Sequence, residues 1–578
     1  MNRNILYFLS AILLPKPALA QSPDQNYVME ESMLSAFGTK SVKTIQYYDE
    51  YGRGIQTVSN KGKTDGLYVH TPILYYPDSR REMHMLPVPV GTSPNYTDYY
   101  SLVSNAEEFY NDDYPYTDSS KDPLGRLSEE EGPGDDLWNK DVYARKTYGV
   151  NTSNNVAKYN APCDGQNHLV RNGSYAAGSL SFEKFTDRDG RSLTVFTDLL
   201  GRKVLERRSA ASGSDSGNHD TYFVYNDLGQ LRFVLSPEYQ TAGYKAKYAY
   251  EYRYDGRGRV VKKILPGCEY TQYWYDKADR MTFLQDATLR QRGLYRFFLY
   301  DNLGRLCLQG TCTGGNRADT RHPVIYSTTG TGFLGTGYLL TDTSFLTNPQ
   351  IEAVSYYDGY DFTRLYTSAM PQLVVSGGAN ARGLATGSVQ VTSDGHRIGT
   401  SMLYDAKGRV TETHAYNLDG SVTKTETAYT FTDQVSSQTR REYSPSNGMS
   451  TPVLTATTTN TYDDNTGILT ATTLALSKGS YSKSQRTRQL TYDSLGRIAS
   501  DTRGGSAGTV SYGYNLRGWT TSITGTGFLE RLYYTDASKG TPYYSGNISR
   551  QEWQATGDEF LRCYRFTYDG QNRLKEAV

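Results

Sequence analysis

The sequence predicts an all-β protein: an array of β-hairpin repeats that forms a curved, spiralling sheet, a partial shell, preceded by a smaller β-rich N-terminal domain. Three observations predict this fold. A Tyr-Asp-x-x-Gly-Arg motif recurs, with most neighbouring copies about 20 to 30 residues apart, a period typical of repeat architectures. The residues before the motif alternate between tyrosine and other types, as in a strand. The chain also holds 52 Tyr and 55 Gly but only 18 Phe, which favours strands and turns.

Five copies of the motif keep every fixed position. Looser copies occupy residues 186–191, 197–202, 225–230, 275–280, 514–519 and 568–573. Recurrence on this scale indicates a repeated structural unit. The repeated residues of the five good copies are Tyr48, Asp49, Gly52, Arg53, Tyr254, Asp255, Gly258, Arg259, Tyr300, Asp301, Gly304, Arg305, Tyr404, Asp405, Gly408, Arg409, Tyr492, Asp493, Gly496 and Arg497.

Each motif is predicted to be the turn of a hairpin. Tyr248, Tyr250, Tyr252 and Tyr254 alternate with other residues, which places four rings on one face of a strand, and residues 260–265 form the return strand. In the turn, Asp is expected to accept backbone hydrogen bonds and Gly to take a positive φ, while Arg reaches the Asp or the next hairpin. We predict no catalytic role for these residues, because a catalytic site needs several different groups that converge.

Length and the N-terminal sequence predict the domain organisation. The 578 residues exceed the roughly 250 to 300 at which single cores stop growing. Residues 1–20 are predicted to be a signal peptide, with a basic start, an apolar stretch at 5–14 and a cleavage site near Ala20. That stretch is shorter than the ~20 residues that cross a bilayer, so no transmembrane segment is expected. Residues 21–180 are assigned to an N-terminal β-rich domain, with irregular Pro- and Tyr-rich sequence that includes 96–100, and residues 181–578 to the repeat region.

Charge argues against one class of partner. The 61 basic and 61 acidic side chains cancel, so nucleic acid is not expected as a partner. An acidic stretch, 129–131 with Asp135 and Asp136, is interrupted by Gly-Pro-Gly and is predicted to be a solvated loop.

Cysteine and acidic patterns leave two alternatives open. The five cysteines are odd in number and sparse, which argues against a disulfide framework, although Cys307 and Cys312 are candidates for a local bridge. Asp187 and Asp189 resemble the start of a calcium loop, but Asp198 stands where Glu is expected at its end.

No metal or cofactor is predicted. The histidines are scattered without the local spacing of a zinc site. They are His70, His84, His168, His219, His322, His396 and His414.

Two short segments imitate enzyme signatures. Residues 504–508 satisfy the Gly-x-Ser-x-Gly pattern, but a nucleophile elbow needs a following helix, and strand alternation at Tyr512 and Tyr514 follows instead. The glycine-rich residues 330–337 lack the amphipathic helix of a phosphate site and are predicted to be a turn. The hexapeptide at 329–334 recurs at 524–529, which indicates a further internal duplication.

With these motifs in place, the region from 182 to 578 resembles the YD repeats of the RHS family, found in bacterial polymorphic toxins, insecticidal toxin complexes and teneurins. Residues 47–58 resemble the domain of unknown function that often precedes the repeats in exported bacterial proteins, and residues 544–549, leading to Trp553, are similar to sequence that precedes the RHS core. The resemblance implies hairpins that spiral into a hollow shell around or beside a C-terminal toxin. The chain ends at Val578, and no Asp-Pro-x-Gly core segment or toxin domain is found after the repeats, so the repeat region is expected to be truncated before the RHS core.

The expected function is a non-catalytic secreted scaffold that forms a shell or presenting surface for a toxin, an effector module or a companion chain. The alternative is an adhesin-like protein of the cell surface, in which aromatic faces, Trp274, Trp519 and Trp553 among them, bind a glycan or a protein. A hydrolase in the N-terminal domain ranks last, since no constellation of catalytic residues is found there. The expected location is secreted, periplasmic or on the cell surface.

Overall fold

The regular secondary structure in the computed structural model is mostly antiparallel β-strand, which confirms the all-β prediction. It describes residues 22, 24–36, 40–60, 66–77, 80–162, 169–209, 217–315, 322–367, 370, 373, 381–446, 449–504 and 508–578. Within those residues, 36 strands form one sheet, and two separate hairpins lie beside it. The predicted signal peptide, residues 1–20, falls outside the described residues.

The strands are numbered in chain order. Those before residue 181 are β1 (Asn26–Met33), β2 (Ser41–Tyr48), β3 (Gly54–Ser59), β4 (Tyr68–Tyr75), β5 (Arg81–Met85), β6 (Val88–Val90), β7 (Tyr116–Lys121), β8 (Leu127–Glu131), β9 (Tyr143–Val150), β10 (Ala157–Asn160) and β11 (Val170–Ser174). The next are β12 (Ser181–Thr186), β13 (Ser192–Thr197), β14 (Lys203–Ser209), β15 (Asn218–Tyr225), β16 (Leu231–Leu235), β17 (Ala249–Tyr254), β18 (Val260–Ile264), β19 (Tyr270–Tyr275), β20 (Met281–Gln285), β21 (Tyr295–Tyr300), β22 (Leu306–Cys312), β23 (Val324–Tyr326), β24 (Tyr338–Leu340) and β25 (Gln350–Tyr357). The last are β26 (Ala385–Val391), β27 (Arg397–Tyr404), β28 (Val410–Tyr416), β29 (Val422–Tyr429), β30 (Val435–Tyr443), β31 (Leu454–Tyr462), β32 (Leu469–Lys478), β33 (Tyr481–Tyr492), β34 (Ile498–Arg503), β35 (Thr509–Tyr514), β36 (Thr520–Gly525), β37 (Phe528–Tyr533), β38 (Arg550–Ala555), β39 (Arg562–Tyr568) and β40 (Leu574–Ala577).

Helices are few and short. The α-helices are α1 (Tyr99–Tyr110), α2 (Asp135–Trp138), α3 (Pro237–Ala242), α4 (Lys245–Tyr248) and α5 (Ala287–Gln291), and 3-10 turns cover Phe333–Gly335 and Asp361–Tyr366.

Sequence neighbours pair along most of the sheet, so each strand forms a hairpin with the next. Two insertions interrupt the chain without interrupting the sheet, because β9 pairs with β12 across the β10–β11 hairpin, and β22 pairs with β25 across the β23–β24 hairpin. Strand pairing is continuous past residue 180, where Thr186 of β12 lies opposite Arg145 of β9.

The inserted elements supply much of the core. The largest buried cluster joins Phe283 and Phe297 of the sheet to Tyr338 of the β23–β24 hairpin and to Phe362 and Tyr366 of a 3-10 turn. A second cluster packs Val156 and Ala161, which flank β10, against β13 to β17. A third places α1 against β5 and β6. The core therefore lies where an insertion covers the sheet, because a single sheet needs a second layer to bury its apolar face.

Helix α1 was not predicted, since the sequence around 96–100 is interpreted above as irregular. It spans 12 residues, and the carboxylate of Asp98 accepts a hydrogen bond from Ser101 N at 2.9 Å at its N-terminus. Its buried residues, Tyr99, Leu102 and Ala106, have the spacing of one helical face. The prolines at 87, 89 and 94 and the tyrosines at 96, 99 and 100 lie just before or at the start of this helix, and they favoured an irregular interpretation of the whole segment.

The prediction that the acidic stretch 129–131 is a solvated loop is wrong. These residues end strand β8, and Glu131 is buried. Glu129 pairs with Arg145 of the adjacent strand at 2.9 Å, and Glu130 pairs with Arg188 at 2.8 Å. Facing arginines compensate the carboxylates of Glu129 and Glu130, which allows this charged sequence to form a strand.

The prediction that four tyrosines lie on one face of a strand is correct in part. Tyr250, Tyr252 and Tyr254 lie on β17 and share a face, whereas Tyr248 ends helix α4. The more buried face of β17 carries Ala249 and Glu251.

The proposed bridge between Cys307 and Cys312 is absent, and neither residue forms a disulfide. Both lie on β22, five positions apart, and are buried. At about 3.4 Å per residue, that spacing puts the two α-carbons far beyond the roughly 7 Å that a disulfide can span.

Candidate functional site: the Tyr-Asp-Arg ladder

All five good copies of the motif form the same hairpin turn. In the copy at 254–259, Oδ1 of Asp255 accepts hydrogen bonds from the backbone N–H groups of Arg257 at 2.9 Å and Arg259 at 3.0 Å, and Oδ2 accepts from Nε of Arg259 at 2.7 Å. Gly258 has a φ of 80°, and its N–H donates to the carbonyl of Asp255. The other four aspartates make the same three bonds. The turn is therefore of the three-residue type that ends in a left-handed residue.

Some turns replace the left-handed glycine with Asp or Asn, which tolerate that conformation. Asp279, Asp433 and Asn572 occupy it with φ between 61° and 66°. The carboxylate of Asp279 pairs with Arg259 of the preceding turn at 3.0 Å, and that of Asp433 pairs with Lys407 at 3.1 Å. Such pairs show that consecutive turns are neighbours on one edge of the sheet.

The motif tyrosine connects each hairpin to the one before it. The hydroxyl of Tyr254 donates to the carbonyl of Leu231 at 2.7 Å, and that of Tyr300 donates to the carbonyl of Met281 at 2.8 Å. Each acceptor directly follows the residue that closes the preceding turn. Further pairs of this kind are Tyr75 with Gly54, Tyr225 with Lys203, Tyr275 with Val260, Tyr357 with Leu306, Tyr404 with Ala385, Tyr429 with Val410, Tyr462 with Val435, Tyr492 with Leu469, Tyr514 with Ile498 and Tyr534 with Thr520.

The motif arginine also contacts the next repeat. The guanidinium of Arg259 lies 5.0 Å from the ring centroid of Tyr275, and that of Arg280 lies 4.8 Å from the centroid of Tyr300. Equivalent pairs are Arg53 with Tyr75, Arg202 with Tyr225, Arg305 with Tyr357, Arg409 with Tyr429 and Arg497 with Tyr514. Each arginine thus bonds its own aspartate and contacts the next tyrosine. We call this run of contacts the Tyr-Asp-Arg ladder.

Structural contacts within the ladder already occupy the polar groups of the motif. Burial opposes ionisation of Asp276, but hydrogen bonds from the side chain and backbone of Arg280 outweigh it and hold the pKa of this carboxyl below its usual value. A carboxylate with three donors has little remaining capacity to bind a ligand. The chemical capacity of the ladder is therefore to cross-link successive hairpins.

A copy of the turn that the motif did not predict lies at residues 121–126. The carboxylate of Asp122 accepts from the backbone N–H groups of Leu124 and Arg126 and from Nε of Arg126 at 2.8 Å. Lys121 stands in the tyrosine position. The pattern Asp-x-x-Gly-Arg, searched without the tyrosine, finds it.

The enzyme-like segments take other forms. Ser506 lies outside the described residues, but β34 ends at Arg503 and β35 begins at Thr509, so two strands flank the segment. Residues 330–337 form a turn between β23 and β24, as predicted. The related hexapeptides differ in structure, because 329–334 enters a 3-10 turn and 524–529 spans the β36–β37 hairpin.

Calcium and metal sites receive no support. Asp187 and Asp189 both pair with Arg191, at 3.5 and 3.3 Å, while Asp198 pairs with Arg202 in the next turn. In the described part of the chain, no three His, Cys, Asp or Glu side chains are grouped to hold a metal ion.

The three tryptophans named as binding candidates lie apart. Trp519 packs against Tyr534 with ring centroids 4.9 Å apart, and Trp553 packs against Tyr564 at 5.1 Å. Trp274, on β19, lines a cleft of about 700 Å³.

A polar seam joins the early and late parts of the sheet. Arg517, which is 9% exposed, donates two hydrogen bonds to the carboxylate of Asp136 on α2. The backbone N–H of Tyr544 donates to Asp189 at 2.7 Å, and Lys140 donates to the Tyr544 hydroxyl at 3.1 Å. Such contacts join residues more than 350 positions apart, so no local pattern in the sequence could indicate them.

Comparison with known proteins gives a family match for part of the chain. A family model described as Domain of unknown function (DUF6443) matches residues 23–150. No curated protein matches the chain. In the described residues, no helix has the length and hydropathy needed to span a membrane.

Three solved structures are similar over nearly the whole chain. They are crystal structures of TcdB2-TccC3-TEV (12% identity, TM-score 0.39, 98% of this chain and 28% of that chain) and TcdB2-TccC3-Cdc42 (13%, 0.40, 95% and 27%), and the Tc holotoxin pore of Photorhabdus luminescens (12%, 0.37, 95% and 27%). The chain thus spans little more than a quarter of the length of these proteins.

Proposed function

We propose that the chain is a non-catalytic scaffold of the RHS type, whose repeats form the wall of a shell for a C-terminal toxin, an effector module or a companion chain. We also propose that it is exported and acts outside the cytoplasm. The polar seam carries the proposal for the wall. The sheet is hydrogen-bonded strand by strand from β12 to β36, with β23 and β24 outside it, and an early and a late part of it meet where Asp136, before β9, binds Arg517, before β36.

A sheet whose distant parts touch must curve around the space between them. About two dozen strands at about 4.8 Å each give a contour of roughly 115 Å, which can surround a space roughly 35 Å across. The ladder stiffens this wall, because each tyrosine and arginine fixes a hairpin to its neighbour. Repeat arrays derive their stability from such neighbour contacts.

Protection of a passenger polypeptide tests this function. An unstructured, protease-sensitive segment would be fused after Val578 in the full chain, and its rate of proteolysis compared with that of the same segment on an unrelated carrier. We expect slower cleavage on the repeat chain, faster cleavage with Asp136→Arg, and protection restored in Asp136→Arg/Arg517→Asp. Equal cleavage on both carriers would contradict the shell.

Surface binding is the second candidate function, and one observation favours it. Trp274 lines a cleft together with Tyr270 and Tyr295, and Trp519 and Trp553 each pack at a tilt against a neighbouring tyrosine. The cleft combines three aromatic rings with glutamine, arginine and threonine side chains, and ligand sites commonly place aromatic rings beside polar groups.

A further inference from the structure

Two buried carboxyl groups lie side by side at the end of strand β8. Strand register places Asp118 of β7 directly opposite Glu131 of β8. Directly paired residues point to the same face of a sheet, with β-carbons about 5 Å apart, so the two carboxyl groups are within reach of each other. Asp118 is 7% exposed and Glu131 is 5% exposed. Two negative charges this close together and this far from water are costly unless they are compensated.

The compensation of these charges is incomplete on both residues. Arg81 of β5 donates from Nε at 2.7 Å and from a second guanidinium nitrogen, but both hydrogen bonds go to Oδ2 of Asp118. Oδ1 of Asp118 and Oε1 of Glu131 are buried and have no hydrogen-bond partner among the described residues. One oxygen of each carboxyl group therefore lacks a donor.

The titratable groups around the pair come from several neighbouring elements. They are Arg81 on β5, Tyr76 just before it, Tyr116 on β7, Asp141 just before β9, Tyr143 on β9 and Tyr99 on α1. Burial raises the pKa of Glu131, and the charges of Asp118 and Asp141 raise it further. A hydrogen bond from Tyr143 and the charge of Arg81 act in the opposite direction without cancelling this rise. The surroundings therefore favour a neutral Glu131.

We propose that Asp118 and Glu131 share one proton, so that Glu131 is a carboxylic acid whose O–H group donates to Oδ1 of Asp118. The proton comes from solvent, and a single hydrogen bond then gives both unpaired oxygens a partner. Ionisation of Glu131 returns two like charges to the site, and like charges directly opposite each other weaken strand pairing. The pair is thus a pH-dependent lock between β7 and β8.

The lock lies next to the polar seam. Glu131 ends β8, and five positions later Asp136 on α2 binds Arg517. The indole nitrogen of Trp138 on α2 donates to the carbonyl of Gly132 at 3.0 Å, which ties the intervening segment to this helix. A proton on Glu131 therefore steadies the strand end from which the chain reaches the seam.

The sign of the pH effect follows from the raised pKa of Glu131. A pKa that is higher in the folded chain than in the unfolded chain gives stability that is complete below the unfolded pKa, near 4.5, and is lost as the pH rises through the folded pKa. The carboxyl of Asp276 in the ladder has a lowered pKa and so the opposite sign. The lock therefore closes in mild acid and opens as the pH rises.

Hydrogen exchange of the full chain, read by mass spectrometry from about pH 4.5 to about pH 8, tests the shared proton through local opening of β7 and β8. At each pH, the unmodified chain is compared with Glu131→Gln, whose amide donates to Oδ1 of Asp118 at every pH. The opening constant of the unmodified chain relative to this variant should rise about threefold or more over the range, because half a pKa unit already corresponds to about threefold. Asp118→Asn should also reduce the pH dependence, and it keeps the test valid if Glu131→Gln does not fold.

Glu129→Gln is the matched control, since Glu129 lies two positions earlier on β8, is 47% exposed and pairs with Arg145 at 2.9 Å. It is expected to open with the same pH dependence as the unmodified chain. A ratio of opening constants that stays level with pH would overturn the proposal, because a water molecule would then satisfy the two oxygens in place of the proton. Equal loss of the pH dependence in Glu129→Gln would also overturn it.

Discussion

Nδ2 of Asn226 donates a hydrogen bond to Oε1 of Gln230 at 2.8 Å. In the preceding turn, the equivalent contact joins the charged pair Asp198 and Arg202 in the opposite direction, since Nε of Arg202 donates to Oδ2 of Asp198 at 2.8 Å. In both turns the first side chain also accepts from two backbone N–H groups. A neutral amide pair therefore builds the turn that elsewhere needs an ion pair, so geometry more than charge defines the motif.

This exchange predicts a rescue. Asp198→Asn alone should lower the free energy of unfolding by about 1 to 2 kcal/mol, because its new amide faces the guanidinium of Arg202. Asp198→Asn/Arg202→Gln should recover at least about half of the loss, by analogy with Asn226 and Gln230. Urea unfolding of the four chains of the double-mutant cycle gives the coupling. Additive losses would contradict the equivalence of the two turns.

The tyrosine hydroxyl should contribute measurably to stability. Tyr300→Phe removes the bond to the carbonyl of Met281 and should cost about 1 kcal/mol, because a half-buried acceptor loses its donor. Tyr250→Phe is the control, since Tyr250 is 37% exposed and its hydroxyl has no hydrogen-bond partner among the described residues. Equal unfolding midpoints for the two variants would show that the ladder hydroxyls add nothing.

Stability should fall in acid below about pH 5. Burial opposes ionisation of Asp198 and Asp276, but hydrogen bonds from Arg202 and Arg280 hold the pKa of each below its usual value. A pKa lower in the folded chain than in the unfolded chain gives stability that is complete above the unfolded pKa, near 4, and is lost as pH falls through the folded pKa. Urea midpoints measured from pH 7 to 3 should stay level to about pH 5 and then decline. Asp198→Asn/Arg202→Gln should decline less steeply, and unchanged midpoints at pH 3 would rule out the linkage.

Thiol labelling should separate the cysteines by burial. Burial raises the pKa of the Cys307 thiol to about 11, so little thiolate is present at pH 8. With iodoacetamide on the native chain, we expect modification of the exposed Cys268 and Cys563 and protection of Cys307 and Cys312 until urea is added. Peptide mass spectrometry reads each site, and rapid native labelling of Cys307 would contradict its burial.

The polar seam should hold the curvature of the sheet. In Asp136→Arg, the new cation faces the guanidinium of Arg517, whose side chain is 9% exposed. The early and late strands should therefore separate, and the radius of gyration should rise. Asp136→Arg/Arg517→Asp should restore it, and Asp113→Arg, an exposed change nearby, should leave it unchanged. Small-angle X-ray scattering measures all three, and an unchanged radius in Asp136→Arg would show that other contacts set the curvature.

Local patterns predicted much of this fold. Alternation before Asp255 and Asp301 and the turn residues after them indicate hairpins, because strand and turn preferences act over a few residues. The same reasoning failed at 129–131, where the facing arginines 145 and 188 are distant in sequence, and at Tyr248, where a period of two continued one residue beyond the strand.

The ladder and the candidate cleft depend on information that no single segment holds. The carbonyl that receives the Tyr357 hydroxyl belongs to Leu306, on the far side of an insertion. Gln272, Trp274 and Gln285 each follow ordinary local preferences, and their place on one face of the sheet arises from the register of β19 and β20. A sequence pattern fixes neither register nor the contacts of an insertion.

The span between a tyrosine and its acceptor has a consequence for how such a chain changes over evolutionary time. This span is 15 residues for Tyr275 and 51 for Tyr357, yet the hydrogen bonds from the two hydroxyls to their carbonyls are 2.7 and 2.9 Å long. The chain between a motif tyrosine and its acceptor carbonyl can therefore lengthen to include a hairpin, a helix or a new surface while the hydrogen bond between them is kept. Repeats can be gained, and new modules grafted between them, without redesign of the parts already present.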